Sequence, residues 1–405
     1  MRLTVSASVF LASAVILALR GAAGAAEPDW PWYRGPDADG VSKETDWNPK
    51  ALSGGAKVLW RANVGVGWGT VAVKGQLVYI MGNKHRNDHV QCLDIKTGKE
   101  KWKHTYPCST GKWAGPRATP AVLDGVVYSL SREGHVFCLD AATGAVKWQK
   151  NITTEFKAQS HTWGHSGSPR IAGRMLVLNA GPHGLALDRK TGAKIWSSGA
   201  GTGGYATPVI HEKAGKQYAV IFALKEIVGV ELATGRKMWS FPWENRWKVN
   251  SVDPIVYDDK AFFTSGYGRG CGLVTGISGR NAKKAWENKT VASHLSPVVM
   301  VKGFLYGVHG NAGRSCNIKC VDRDTGVQKW ARKSEFCTFT AAGDKLIILD
   351  QKGVLSVADA SPVGYKEHSR AKAVGKGQCW TAPVLCRGMV FCRSKEGELA
   401  CVNMK

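Results

Sequence analysis

The sequence predicts an all-β fold, an eight-bladed β-propeller of four-stranded antiparallel blades, and three observations carry that prediction. A short unit recurs along the chain, an acidic residue followed by a Thr-Gly turn and, eight positions after the acid, a tryptophan. The 48 Gly and 16 Trp occur with few long helical patterns, which points to many turns between short strands. The chain also opens on a strand with no inner strands before it and closes on inner strands with no tryptophan after them. The two ends therefore complete one blade, and ring closure removes the edges an open sheet would expose.

The repeat runs as follows. Leu93-Asp94-Ile95-Lys96-Thr97-Gly98 leads to Trp102, Leu139-Asp140-Ala141-Ala142-Thr143-Gly144 to Trp148, and Leu187-Asp188-Arg189-Lys190-Thr191-Gly192 to Trp196. Glu231 precedes Trp239 and Asp322 precedes Trp330 at the same spacing. Ser278 and Trp286 keep it without the Thr-Gly pair, and a degenerate copy runs from Asp359 to Tyr365. A short Asp side chain accepts from backbone N–H groups two or three residues on, and Gly takes the positive φ that closes the turn. Upstream, Thr119-Pro120, Ser168-Pro169, Thr207-Pro208, Asp253-Pro254, Ser296-Pro297 and Ala382-Pro383 open the first strand of a unit. One unit is thus a four-stranded blade of about 35 to 48 residues. Trp60, Trp102, Trp148, Trp196, Trp239, Trp286, Trp330 and Tyr365 give eight outer-strand anchors that wedge between blades. Lys57-Val58-Leu59-Trp60-Arg61 supplies the outer strand for the C-terminal inner strands. A seven-blade ring with one irregular unit is the alternative count.

Ahead of the propeller (58–405) stand two segments. Residues 1–26 read as a secretion signal: Arg2, an apolar run from Leu3 to Leu19, then Gly21-Ala22-Ala23-Gly24-Ala25-Ala26. The run falls short of the ~20 residues that span a bilayer, and Arg20 ends it. Residues 27–57 form an extended leader. The expected location is periplasmic or secreted, with no membrane span after cleavage and a monomeric protein. Export makes nucleic acid a poor partner for a net charge of +24, and a protein or an anionic envelope polymer fits better.

Eleven Cys in an oxidising compartment leave at least one unpaired. Cys92, Cys138, Cys320 and Cys401 share one repeat position, which marks them as small core residues. Cys316/Cys320 and Cys386/Cys392 are the candidate pairs.

In a propeller the residues just before the innermost strands ring the channel mouth. Three positions before the repeat proline stand Trp68, Arg117, Ser166, Tyr205, Ser251, His294, Phe336 and Trp380, with Val71 and Phe339 replacing the proline in two units. Aromatic planes beside an Arg and a His suit a flat ring or sugar and an anion. His161 and His165, four apart, are the candidate metal pair and need a third ligand such as His294 or Asp253. Asp37-Ala38-Asp39-Gly40 reads as a turn, lacking the other ligands of a calcium loop.

The Leu-Asp-x-x-Thr-Gly-x-x-x-Trp units resemble the repeat of the pyrroloquinoline-quinone-type (quinoprotein-like) propellers, over about residues 58–405. The opening Trp30-Pro31-Trp32-Tyr33-Arg34-Gly35-Pro36-Asp37-Ala38-Asp39-Gly40-Val41-Ser42 looks like the leader of bacterial quinoprotein-like repeat proteins, most of them without a known activity. The resemblance implies either a quinone-dependent dehydrogenase of alcohols or sugars or a non-enzymatic scaffold, such as the propeller lipoprotein of the outer-membrane β-barrel assembly machinery. The dehydrogenases carry an adjacent Cys-Cys ring over the quinone and a calcium held by Glu, Asn and Asp. This sequence has no Cys-Cys dipeptide and no Cys-x-x-Cys-His haem site. Only Asn250 and Asp253 stand near a matching strand end. The expectation is a binding or scaffold module without a cofactor, the alternative being a dehydrogenase holding pyrroloquinoline quinone and calcium at a divergent site.

Overall fold

The computed structural model describes residues 28–109 and 113–405, so the secretion signal lies outside the described residues. Eight four-stranded antiparallel sheets make up the ring. Blades 1 to 7 take residues 72–107, 121–151, 170–197, 209–242, 255–288, 299–335 and 337–372. Blade 8 joins residues 384–403 to the outer strand Val58–Asn63, where Trp60 pairs with Cys401. The ring is closed by the two ends of the propeller, as the sequence predicts, and eight is the blade count. The one helix among the described residues, Ile152–Glu155, is a single turn capped by Asn151. No helix of the described residues is long and apolar enough to cross a membrane.

The repeated turn does what its spacing dictates. Asp94 Oδ1 accepts from Lys96 N, Thr97 N and Thr97 Oγ1 at 3.1, 3.0 and 2.9 Å. The following tryptophan then reaches the next blade: Trp60 Nε1 donates to Ile95 O at 2.8 Å, and Trp102 Nε1 to Ala141 O at 3.0 Å. Trp148, Trp196, Trp239, Trp286 and Trp330 make the same bond to Arg189, Leu232, Ile277, Asp324 and Ser361. Seven of the eight seams are stitched in this way.

Two repeat assignments are corrected by strand register. In the regular blades the tryptophan pairs with the residue two before the acid, as Trp102 does with Cys92 and Trp330 with Cys320. In blade 7 that place belongs to Ser369, opposite Val357, because the turn after Asp359 is longer and closes on Lys366. Tyr365 instead packs edge-on against Trp330 of the preceding blade. The leader fills the resulting gap: Ser369 Oγ donates to Pro49 O at 2.6 Å, and Leu52 is fully buried between blades 7 and 8. In blade 5 Trp286 pairs with Leu273, so Thr275 holds the acid's position and Ser278 lies within a longer turn.

The leader also closes the end of the channel opposite the mouth. Trp30 bridges to Val73 on the inner strand of blade 1, and Val41–Ser42 adds in parallel to the inner strand of blade 7. Arg34, buried, donates to Val298 O at 2.8 Å and to Ala38 O and Asp39 O in its own turn. Asp39 Oδ1 accepts from Val41 N at 2.8 Å, the turn expected of this acidic pair. All eleven cysteines are buried, with Cys92, Cys138, Cys320 and Cys401 in the strand cores. Cys316 and Cys320 remain separate thiols, and Cys386 Sγ donates to Pro28 O.

Candidate functional site

Each inner strand starts at the mouth, and the proline at its start cannot donate to a ladder, which suits a first strand position. The residues three before it converge. Trp68, Arg117, Ser166, Tyr205, Ser251, His294 and Trp380 line one cavity of about 380 Å³. Phe336 is the exception, fully buried with its ring edge-on to Trp380 at 6.2 Å.

Beneath this ring, the residues one before the proline form a belt of cross-blade hydrogen bonds. Thr70 N donates to Thr119 Oγ1, Thr119 N to Ser168 Oγ, Ser168 N to Thr207 Oγ1 and Thr207 N to Asp253 Oδ1, at 2.7 to 3.1 Å. Side-chain oxygens thus satisfy backbone donors that the inner strands leave unpaired at the channel wall. Asp253 puts a carboxyl where the other members of the belt carry a hydroxyl. Burial pushes its pKa up to about 6, against the pull of the Arg34 and Arg170 guanidinium groups and the Thr207 hydrogen bond. Tyr33, from the leader, joins the lining, and burial drives its phenol pKa well up.

The wall has an indole side and a phenol–imidazole side. Trp68 and Trp380 lie 5.2 Å apart between ring centroids, with Trp113 within 6.2 Å of both. Lys395, in the turn after the second strand of blade 8, holds Nζ 5.5 to 5.8 Å from all three rings. An ammonium over three indole faces is attracted by their quadrupoles. Arg117 donates to Gly115 O and Trp113 O, and burial pulls its pKa down to about 10. Across the cavity, His294 Nδ1 accepts from Ala312 N at 3.3 Å, which assigns its proton to Nε2, 2.8 Å from Tyr267 Oη. Burial holds this imidazole neutral, with its pKa near 4, so Tyr267 keeps its own proton to donate.

The other predicted residues lie apart. Asn250 is fully buried behind the wall, its Nδ2 donating to Ala223 O, Leu224 O and Trp243 O, while its Oδ1 has no protein partner. His161 Nδ1 meets Tyr205 Oη at 3.0 Å, whereas buried His165 meets Thr153 Oγ1 through Nε2 at 3.1 Å. The two imidazoles therefore serve different neighbours. Trp113, Trp163, Tyr267 and Tyr33 join the cavity from loops and leader, outside any repeat position. Only the aromatic content of those loops could have flagged them.

A calcium-held quinone does not fit this donor set. Calcium takes six to eight oxygen ligands, commonly several carboxylates. Among the lining residues Asp253 is the one carboxylate, and its Oδ1 is already engaged by Thr207. Asn250 Oδ1 stands behind the wall, and no cysteine lines the cavity to form a ring over a cofactor.

Comparison with known proteins agrees with the fold. The family model described as outer membrane protein assembly factor BamB matches residues 86–332. Among solved structures, BamB from Moraxella catarrhalis shares 16% identity over 86% of this chain and 98% of its own, with a TM-score of 0.63. The quinohemoprotein alcohol dehydrogenase of Comamonas testosteroni shares 14% identity over 93% of this chain and 80% of its own, with a TM-score of 0.71. A europium-containing methanol dehydrogenase shares 14% over 91% and 90%, with a TM-score of 0.70. At such identities the structural likeness speaks for the fold alone. No curated protein matches the sequence.

Proposed function

Because the chain belongs to the BamB family of quinoprotein-like repeat propellers, we propose that it works outside the cytoplasm as a monomeric binding module, holding an acidic partner protein or envelope polymer at its channel mouth. The carrying observation is the cavity itself, walled by indoles and phenols and set with Arg117 and, at the indole cluster, Lys395. Flat apolar faces with fixed positive charge suit a ligand that offers rings or aliphatic faces together with carboxylates. The net charge of +24 favours the encounter with polyanions over distances set by salt. The experiment is calorimetric titration of the protein with polyglutamate and with oligogalacturonate at low and high salt. Salt-sensitive binding of either, weakened by Trp380→Ala and Lys395→Gln, supports the reading, and no binding of either counts against it.

A second reading, a quinone-dependent dehydrogenase of alcohols or sugars, draws on the likeness to the two dehydrogenase structures. It requires that calcium promote binding of pyrroloquinoline quinone. A titration with the quinone, with and without calcium, separates the two readings, because a wall with one carboxylate should show no calcium dependence.

A further inference from the structure

A second cluster of chemically active side chains stands at the seam of blades 1 and 2, outside the cavity lining. One ligand atom each from Cys108, Glu133 and His135 lies within 4.8 Å of the others. Cys108 follows the outermost strand of blade 1, Glu100–Pro107. Glu133 sits in the turn that precedes the strand His135–Asp140 of blade 2, and His135 opens that strand. Three donors thus converge from two blades.

A fourth group stands against them. Asp88 is fully buried, its Oδ1 accepting from Asn83 Nδ2 at 2.6 Å, and its carboxyl also meets the Cys108 thiol. The Cys108 thiol lies against this carboxyl and that of Glu133. A buried carboxyl whose neighbours are a weak thiol donor and a second carboxyl is well placed to back a bound cation.

From this arrangement we infer that Cys108, Glu133 and His135, backed by Asp88, form a binding site for one divalent transition-metal ion of the zinc class. The donor types select the metal, since thiolate and imidazole suit zinc or cobalt, whereas calcium and magnesium take oxygen alone. Tetrahedral ligands at zinc distances lie about 3.3 to 3.8 Å apart, so three donors within 4.8 Å need only small side-chain rotations to close. The His135 ring is already held through Nδ1, 3.1 Å from Ser131 Oγ. Such an outer partner orients a metal-ligating imidazole. Binding converts the Cys108 thiol to a thiolate bonded to the metal and releases its proton to solvent. The ion would tie two blades together at the start of the connection whose far end brings Trp113 and Arg117 to the cavity.

Cobalt(II) titration of the chelator-treated full chain tests this, followed by displacement with zinc(II). One cobalt should bind per chain with a thiolate-to-cobalt charge-transfer band in the near ultraviolet, and zinc should abolish the band. Cys108→Ser should lose the band, and His135→Ala should weaken binding about tenfold or more. Cys138→Ala, in the same blade as His135 but in its core, should retain both. If Cys108→Ser does not fold, His135→Ala and Glu133→Gln decide the matter, since both side chains are partly exposed. Cobalt binding without the band, or unchanged binding in His135→Ala and Glu133→Gln, overturns the assignment.

Discussion

The six-membered ring of Trp102 fills the space above Gly144 of the next blade, so that a β-carbon at Gly144 would lie 2.5 Å from it. Gly144 also has φ near +76°, and its neighbour Ala141 accepts the Trp102 indole N–H. One glycine therefore closes its own turn and leaves room for the ring of the preceding blade. Trp102→Ala should cost about 3 to 5 kcal/mol. Gly144→Ala should cost more than about 1 kcal/mol, from the strained φ and the contact together. Thermal or urea unfolding of the two variants checks both values. A Ser369→Ala variant, at the one seam without an outer-strand tryptophan, should change stability far less.

Asp253 gives a pH signature of known sign. Its pKa is raised from 3.8 to about 6 in the folded state, so the folded protein holds the proton longer than the unfolded chain. This group therefore favours folding at low pH, and its contribution falls by about 1.4 kcal/mol per pH unit as pH rises from about 4 to 6. Buried His89, His165 and His294, held near 4, act oppositely and cost stability as pH falls below 6.5. Asp253→Asn, which keeps an acceptor for Thr207, should gain stability relative to the parent across that rise and lose it more steeply in acid. Parallel unfolding curves at all pH values would count against this assignment.

Arg34 couples the leader to the same carboxyl. Its guanidinium bonds three carbonyl oxygens and draws the Asp253 pKa down. Arg34→Met should cost about 1 to 3 kcal/mol for the buried acceptors it strands. It should also move the Asp253 window to higher pH, which carbon-13 NMR of the carboxyl reads directly.

Much of this fold was legible because it is periodic. The acid-to-tryptophan spacing gave the blades, and the paired ends gave the closure. Register slipped only where turns lengthen, after Thr275 and Asp359, since a spacing rule has no way to count an insertion. In the site, the position three before the proline found Trp68, Tyr205, His294 and Trp380, because every inner strand meets the mouth at the same place. Trp113, Trp163 and Tyr267 escaped notice because loops between blades follow no period. The belt itself was not read from the sequence, although Thr119, Ser168, Thr207 and Asp253 each precede a repeat proline, because its meaning lies in the cross-blade contacts.

The three indoles around Lys395 should report occupancy of the mouth directly. A ligand entering the cavity displaces water from Trp68, Trp113 and Trp380, so binding should change the tryptophan emission. Trp113, 40% exposed, should contribute most of that change, and Trp113→Phe should reduce it by more than half while leaving stability near that of the parent.

The most direct measurement is calorimetric titration of the protein with an acidic oligosaccharide and with its neutral, reduced counterpart, in the parent, Trp380→Ala and Lys395→Gln proteins. The account predicts binding of the acidic ligand alone, weakened in both variants and by added salt. Equal binding of the neutral ligand, or affinity unchanged in both variants, would contradict a cationic, indole-walled mouth as the site of recognition.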